Sequence, residues 1–221
     1  MIANSAAGLI FFISGDLVYN LALLDDIKTK KSDAKAKARF QDAIDVPIDS
    51  HEELILNSIK YGFNIISSEK HEYLDWEFIK FLNSIVERDV VNLSEDNGRY
   101  FIAVKWGKND ISPLEEKEVK TKIDNLNKIK DPKIRAIEFL LYSLTSKLFG
   151  EGNKRMSFLV TNSVLISNNI GILSVQKKNI KKFNTALKKY SNDKNEINKN
   201  KLWEILDRSI ITAEHSDYYV Y

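Results

Sequence analysis

The chain has no cysteine and only three histidines among its 221 residues. Without cysteine there is no disulfide, no thiolate-held zinc or iron–sulfur centre, and no thiol nucleophile. His51, His71 and His215 lie far apart and no His-Glu-x-x-His run occurs, so a histidine metal cluster is not indicated. Missing too are the Gly-x-x-x-x-Gly-Lys-Ser/Thr phosphate loop and the Gly-x-Ser-x-Gly nucleophile elbow. Charge of one sign is also lacking: 33 basic residues face 31 acidic ones, which argues against a general coat for polyanions. No apolar run is long and unbroken. Ala6 to Leu24 comes nearest, but Asp16 lies within it, Ser14-Gly15 breaks it and no basic residue precedes it, so it reads as a buried helix rather than a spanning segment or signal peptide. These features predict one soluble, cytoplasmic domain with a substantial core and no membrane partner.

What is present is a glycine turn between two apolar helices. From Asp131-Pro132 to Leu148, an N-cap residue and a proline at the first helical position precede Ile134, Ile137, Leu141, Leu144 and Leu148, spaced for one buried face. From Lys154 to Asn169, Met156, Leu159, Val160, Ser163 and Val164 repeat that spacing, and Gly171 follows. Between them stands Phe149-Gly150-Glu151-Gly152-Asn153-Lys154-Arg155. Gly152 can take backbone angles closed to other residues, and Asn153 tolerates a left-handed conformation or can cap the next helix. The first amides of a helix lack internal partners and sit at its positive end, so this turn suits a phosphate. Arg155, one turn in, could add a two-pronged contact, and Glu151 offers a carboxylate to a hard cation such as magnesium. The same residues also fit a plain helix–turn–helix corner.

Helix, Phe-x-Glu-Gly-Asn-Lys-Arg and second apolar helix resemble the central motif of the Fic/Doc (Fido) family. The likeness extends over about residues 70 to 192. Upstream, Gly98 to Gly107 alternates like a hairpin and is similar to the family's flap. Ser112-Pro113-Leu114-Glu115 reads as a capping box opening a helix with Val119, Ile123 and Leu126 on one face. Downstream, Ile180, Phe183, Leu187 and Tyr190 match the next core helix. The resemblance implies an all-α Fic-like fold, mainly a helical bundle, with one β-hairpin flap. It implies ATP and Mg2+ as ligands and transfer of AMP to a protein hydroxyl. Phe149 would anchor the turn, Glu151 ligate magnesium, Gly152 and Asn153 form the anion hole with Lys154 beside them, and Arg155 grip the terminal phosphates. Tyr100, Phe101, Ile102 and Ala103 would position the target segment. Phe158 stands where many members carry a second arginine, which brings the chain nearer the Asn-Lys-Arg variants, among them AMP transferases and phosphate-transferring Doc proteins.

The largest departure is Lys147, which occupies the position of the family's histidine, the base that takes a proton from the attacking hydroxyl. A lysine amine, ordinarily titrating near ~10.4, is a donor only at neutral pH, and nearby phosphates favour its charged form further. Lys147 is therefore expected to be an extra phosphate contact with transfer weak or lost; the competing expectation is a solvent-facing cation at a helix end. The family is commonly inhibited by a Ser/Thr-x-x-x-Glu helix whose glutamate pairs with the motif arginine. Val18 to Asp26 resembles a worn form of it, with Leu21 at the hydroxyl position and Asp25, followed by Asp26, at that of the glutamate.

The chain thus divides into an N-terminal helical region (1–69), a Fic-like domain (70–192) and a C-terminal helix with tail (193–221), the last helix running from about Ile197 to Thr212. Lys28 to Arg39 is charged and poor in large apolar groups, and reads as an exposed connection or solvated helix. Between Gln176 and Lys201 nine lysines face Asp193 and Glu196. Arginine and aromatics are not interleaved there, so a wet surface is preferred to nucleic-acid binding. Tyr218-Tyr219-Val220-Tyr221 is apolar enough to dock on the domain or to mediate homo-oligomerisation. Two functions follow: an ATP-binding relative of the nucleotidyltransferases with impaired transfer, or a noncatalytic regulator, antitoxin-like or scaffold, that keeps the fold. The expected partner is a protein target or a regulatory protein. Doc-like phosphate transfer is a third possibility.

Overall fold

The computed structural model describes residues 16–24, 51–87, 115–149 and 152–212. Eight helices and one strand pair occur among them. Residues 16–24 form α1. There follow α2 (His51–Ser68), α3 (Trp76–Glu87), α4 (Glu116–Asn127), α5 (Pro132–Ser146), α6 (Asn153–Ser167), β1 (Ile172–Leu173), α7 (Lys177–Asn192), α8 (Glu196–Asp207) and β2 (Ile210–Ile211). The architecture is mainly α-helical, as expected.

Helix α6 is the axis of the core, and every residue from Arg155 to Ser167 is buried. A helix covered on all sides must satisfy its polar groups internally. Ser157 Oγ donates to Asn153 O at 2.5 Å, Thr161 Oγ1 to Ser157 O at 2.7 Å and Ser163 Oγ to Val160 O at 2.7 Å. Helices α2, α3 and α5 pack around α6. The approach of α2 is close enough that a methyl group on Gly62 would overlap Leu159 Cδ1, so glycine is needed there for space.

Three asparagines join elements in the same way. Each pairs its amide and carbonyl with both backbone groups of one residue: Asn127 with Leu74 (2.8 and 3.0 Å), Asn153 with Phe149 (2.5 and 2.9 Å) and Asn162 with Leu173 (3.1 and 2.7 Å). An asparagine side chain copies a peptide unit, so it can complete a ladder where no second strand is available.

Several boundaries differ from expectation. Pro132 opens α5 and Asp131 caps it as predicted, the Asp131 carboxylate accepting from Lys133 N and Ile134 N. Ile134, however, is 40% exposed, whereas Arg135 is buried. The guanidinium donates to the carbonyls of Ile129 and Glu72 and lies 4.5 Å from the Tyr73 ring centre, which compensates its burial. Helix α4 starts at Glu116, not at Pro113, because Glu115 is extended (φ −64°, ψ 137°) and itself occupies the N-cap. The last helix ends at Asp207, and Ile210–Ile211 instead pairs antiparallel with Ile172–Leu173. These two strands are a feature the sequence did not announce; the expected flap, residues 98–107, lies outside the described residues, as does the tail. No helix among the described residues is long and apolar enough to cross a membrane.

Candidate functional site

The turn between α5 and α6 is fixed from inside. Phe149, 3% exposed, stacks on Trp76 with ring centroids 5.6 Å and planes 16° apart. Trp76 in turn donates its indole N–H to Glu116 at 2.7 Å, tying the turn to α3 and α4. Asn153 then locks the backbone of Phe149 by its paired bonds. Gly152 adopts φ 70° and ψ 1°, a left-handed conformation that a Cβ would strain, and leads straight into α6. The first bond of the helix runs from Met156 N to Gly152 O at 2.9 Å, and Gly152 has no side chain to cap the amides of residues 153–155. Backbone and dipole at this corner have the form that accepts an anion.

Arg155 and Lys154 of the motif are engaged with protein. Arg155 is 3% exposed and donates through Nη1 to the carbonyl of Val86, near the end of α3, at 2.6 Å. Lys154 Nζ donates to the carbonyl of Leu24 in α1 at 2.7 Å. Lys147 is exposed and forms the C-cap of α5 in a left-handed conformation, φ 48° and ψ 67°. Phe158, where a second arginine is common in the family, is 2% exposed and meets Phe183 of α7 edge-to-face at 5.9 Å. With Leu17, Leu21 and Leu24 it lines a void of only about 10 Å³. Among the described residues, helix α1 meets the motif through apolar packing and the bond from Lys154 to the Leu24 carbonyl; Asp25 and Asp26, the residues expected to clamp Arg155, lie outside the described residues.

Gly150 and Glu151, like Tyr100, Phe101, Ile102 and Ala103 of the flap, also lie outside them. Among the described residues no three His, Asp or Glu side chains gather to hold a metal ion. His71 lies away from the turn: its backbone N–H donates to Ser167 Oγ at the far end of α6, about 20 Å along the helix from Asn153, and its ring stacks on Phe78. Two surface grooves flank α7, and neither is lined by residues 147–155. Trp76 and Ser143 are the site's unannounced supports. Ser143 Oγ donates to Ser157 Oγ at 2.7 Å across the α5–α6 contact, a pairing that no spacing in the chain reveals.

The fold is that of Fic domain proteins. A Fic domain containing signaling protein from Bacteroides thetaiotaomicron superposes with a TM-score of 0.63 at 16% identity, over 89% of this chain and 81% of that one. A segment of Fic-1 from C. elegans superposes with a TM-score of 0.57 at 13% identity, over 90% of this chain and 61% of that one. This chain thus spans about three fifths of the Fic-1 segment. No protein-family model and no curated protein matches the sequence.

Proposed function

We propose that this chain is a Fic-family protein, related to the protein AMP transferases, whose transfer step is weak or lost. Lys147 carries the reading. Transfer to a hydroxyl needs a group that accepts its proton, and an ammonium has no lone pair to do so. Its left-handed, exposed position at the C-cap also differs from that of a side chain held rigidly by a helix. What the corner retains is the helix start at Gly152-Asn153, which favours a nucleotide's phosphates and makes ATP the expected ligand.

Arg155 favours a second reading, a noncatalytic regulator or scaffold. A guanidinium already buried against the Val86 carbonyl would have to exchange that bond to reach a triphosphate. Two measurements separate these readings. A thermal-shift titration with ATP and magnesium should raise the melting temperature of the wild type, and the rise should shrink in Arg155→Lys, each protein being compared with its own nucleotide-free form. No rise in either leaves only the scaffold. Transfer of label from α-labelled ATP to protein should be near background in the wild type and rise in Lys147→His; robust transfer by the wild type would refute the proposal. Label arriving from the γ-phosphate instead would indicate Doc-like chemistry.

A further inference from the structure

The formal charge of the whole chain is only +2, yet six of its cations line one groove. A groove of about 660 Å³ between α7 and α8 is lined by Lys178, Lys181, Lys182, Lys189, Lys201 and Arg208, with Glu204 as its one acid. The groove's excess of five against the chain's excess of two leaves the remainder acidic by three. Glu204 is already paired with Arg208 at 2.5 Å, and the five lysines have no carboxylate partner among the described residues. Lysines nearby that serve the fold are matched: Lys199 with Glu138 at 2.9 Å and Lys133 with Asp207 at 2.5 Å. Unmatched like charges along facing helices oppose folding and are relieved when an anion binds.

The floor of the groove narrows the choice of anion. Ala186, Ile205 and the lysine stems form an apolar strip beneath the charged rim. Ile197, 66% exposed, stands one helical turn before Lys201 on the same face of α8, next to Asn198 of the groove lining. No aromatic side chain lines the groove, so nothing is available to stack on bases. A duplex backbone would use the lysines and leave Ile197 and the floor without a counterpart. An acidic helix with an apolar stripe matches both.

We infer that the groove between α7 and α8 docks an acidic amphipathic helix of a partner protein. This surface is separate from the motif turn and does not depend on nucleotide binding there. The test uses the full chain and a labelled synthetic peptide of about 18 residues, with leucines at i, i+3, i+4 and i+7 flanked by glutamates. A peptide of the same composition with scrambled leucines, a duplex DNA and inorganic polyphosphate are the comparison ligands. By fluorescence anisotropy at about 0.15 M salt, the patterned peptide should bind at least about tenfold more tightly than the scrambled one. Lys182→Glu/Lys189→Glu should weaken it by about tenfold or more and Ile197→Ser by about threefold, whereas Lys130→Glu, remote in sequence from both helices, should not change it. Thermal melts establish that the variants are folded. Equal affinity for the two peptides, or indifference to the double charge reversal, would overturn the inference. Tighter binding of DNA or polyphosphate, insensitive to Ile197→Ser, would reassign the groove to phosphate chains, and no binding by any ligand would dismiss it.

Discussion

Lys147 holds φ 48° and ψ 67°, a region in which an L side chain crowds the following carbonyl at about 1 kcal/mol. Glycine loses that strain and pays part of it back in chain entropy, so Lys147→Gly should raise stability by about 0.5 kcal/mol, read as a higher denaturant midpoint at unchanged slope. A lower midpoint would mean that contacts of the lysine outweigh its backbone strain. At Asn153 two effects oppose one another. A carboxylate at the first position of α6 gains about 0.3–1 kcal/mol from the helix dipole. Asn153→Asp also loses the amide that donates to Phe149 O and sets an anion against that carbonyl, which costs about 1–3 kcal/mol. The loss is larger, so Asn153→Asp should be destabilising by chemical denaturation even though sequence rules for helix starts favour aspartate.

Between elements, close packing and paired polar groups decide the outcome. Gly62→Ala would force a methyl group into Leu159, which is fully buried in α6 and has nowhere to retreat, so about 1–3 kcal/mol should be lost despite the better helix propensity of alanine. Calorimetry should show the melting temperature falling. Helices α3 and α4 are joined by Trp76, Glu77, Lys80, Glu116 and Lys120. The indole bond from Trp76, and then Lys120, hold the Glu116 carboxyl below the ordinary carboxylate range. A depressed folded value means that Glu116 binds its proton more readily in the unfolded chain. Its contribution is present above the unfolded pKa and disappears as pH falls through the folded one. From about pH 5 downward the wild type should therefore lose melting temperature faster than Glu116→Gln, which keeps an acceptor for the indole and does not titrate. Parallel curves would remove Glu116 from the acid limb.

Across the molecule, the elements legible in the sequence are those whose apolar spacing lies within one helix. Phe183 in α7 and Val119, Ile123 and Leu126 in α4 are all buried where the periodicity places them, and the cap at Asp131 marks a true helix start, whereas Gly152 takes the left-handed cap position expected of Asn153, which is the first helical residue. The helix start at 152–153 was legible because glycine and asparagine favour turns and helix ends. What remained hidden depends on distant partners: the β1–β2 pair joins residues 37 and 39 positions apart, and Asn127 meets Leu74 across 53. The burial of Arg135 is equally a matter of distant partners, since only the arrival of Glu72 and Ile129 carbonyls makes burial of its charge tolerable. Such long-range ties also set how the whole domain responds to alkali. Burial, and secondarily the charge of Glu118, push the Tyr142 hydroxyl up to about 12, while the bond to Glu138 raises the Lys199 ammonium above the ordinary lysine value. Both groups keep their protons longer in the folded chain. Their stabilisation is complete below the unfolded values and is lost as pH rises through the folded ones. Above about pH 10 the melting temperature should fall in the wild type, and less steeply in Tyr142→Phe and in Lys199→Met relative to each variant's own value at neutral pH. Loss of lysine charge throughout the chain contributes to that fall in all three proteins, so the informative quantity is the difference in slope between each variant and the wild type. An absorbance titration at 295 nm checks the tyrosine separately: the phenol titrating near about 12 should be missing from Tyr142→Phe. If the missing amplitude instead falls near 10, the half-buried ring is reached by solvent too readily to oppose ionisation, and the alkaline limb must be assigned to Lys199 and the surface lysines.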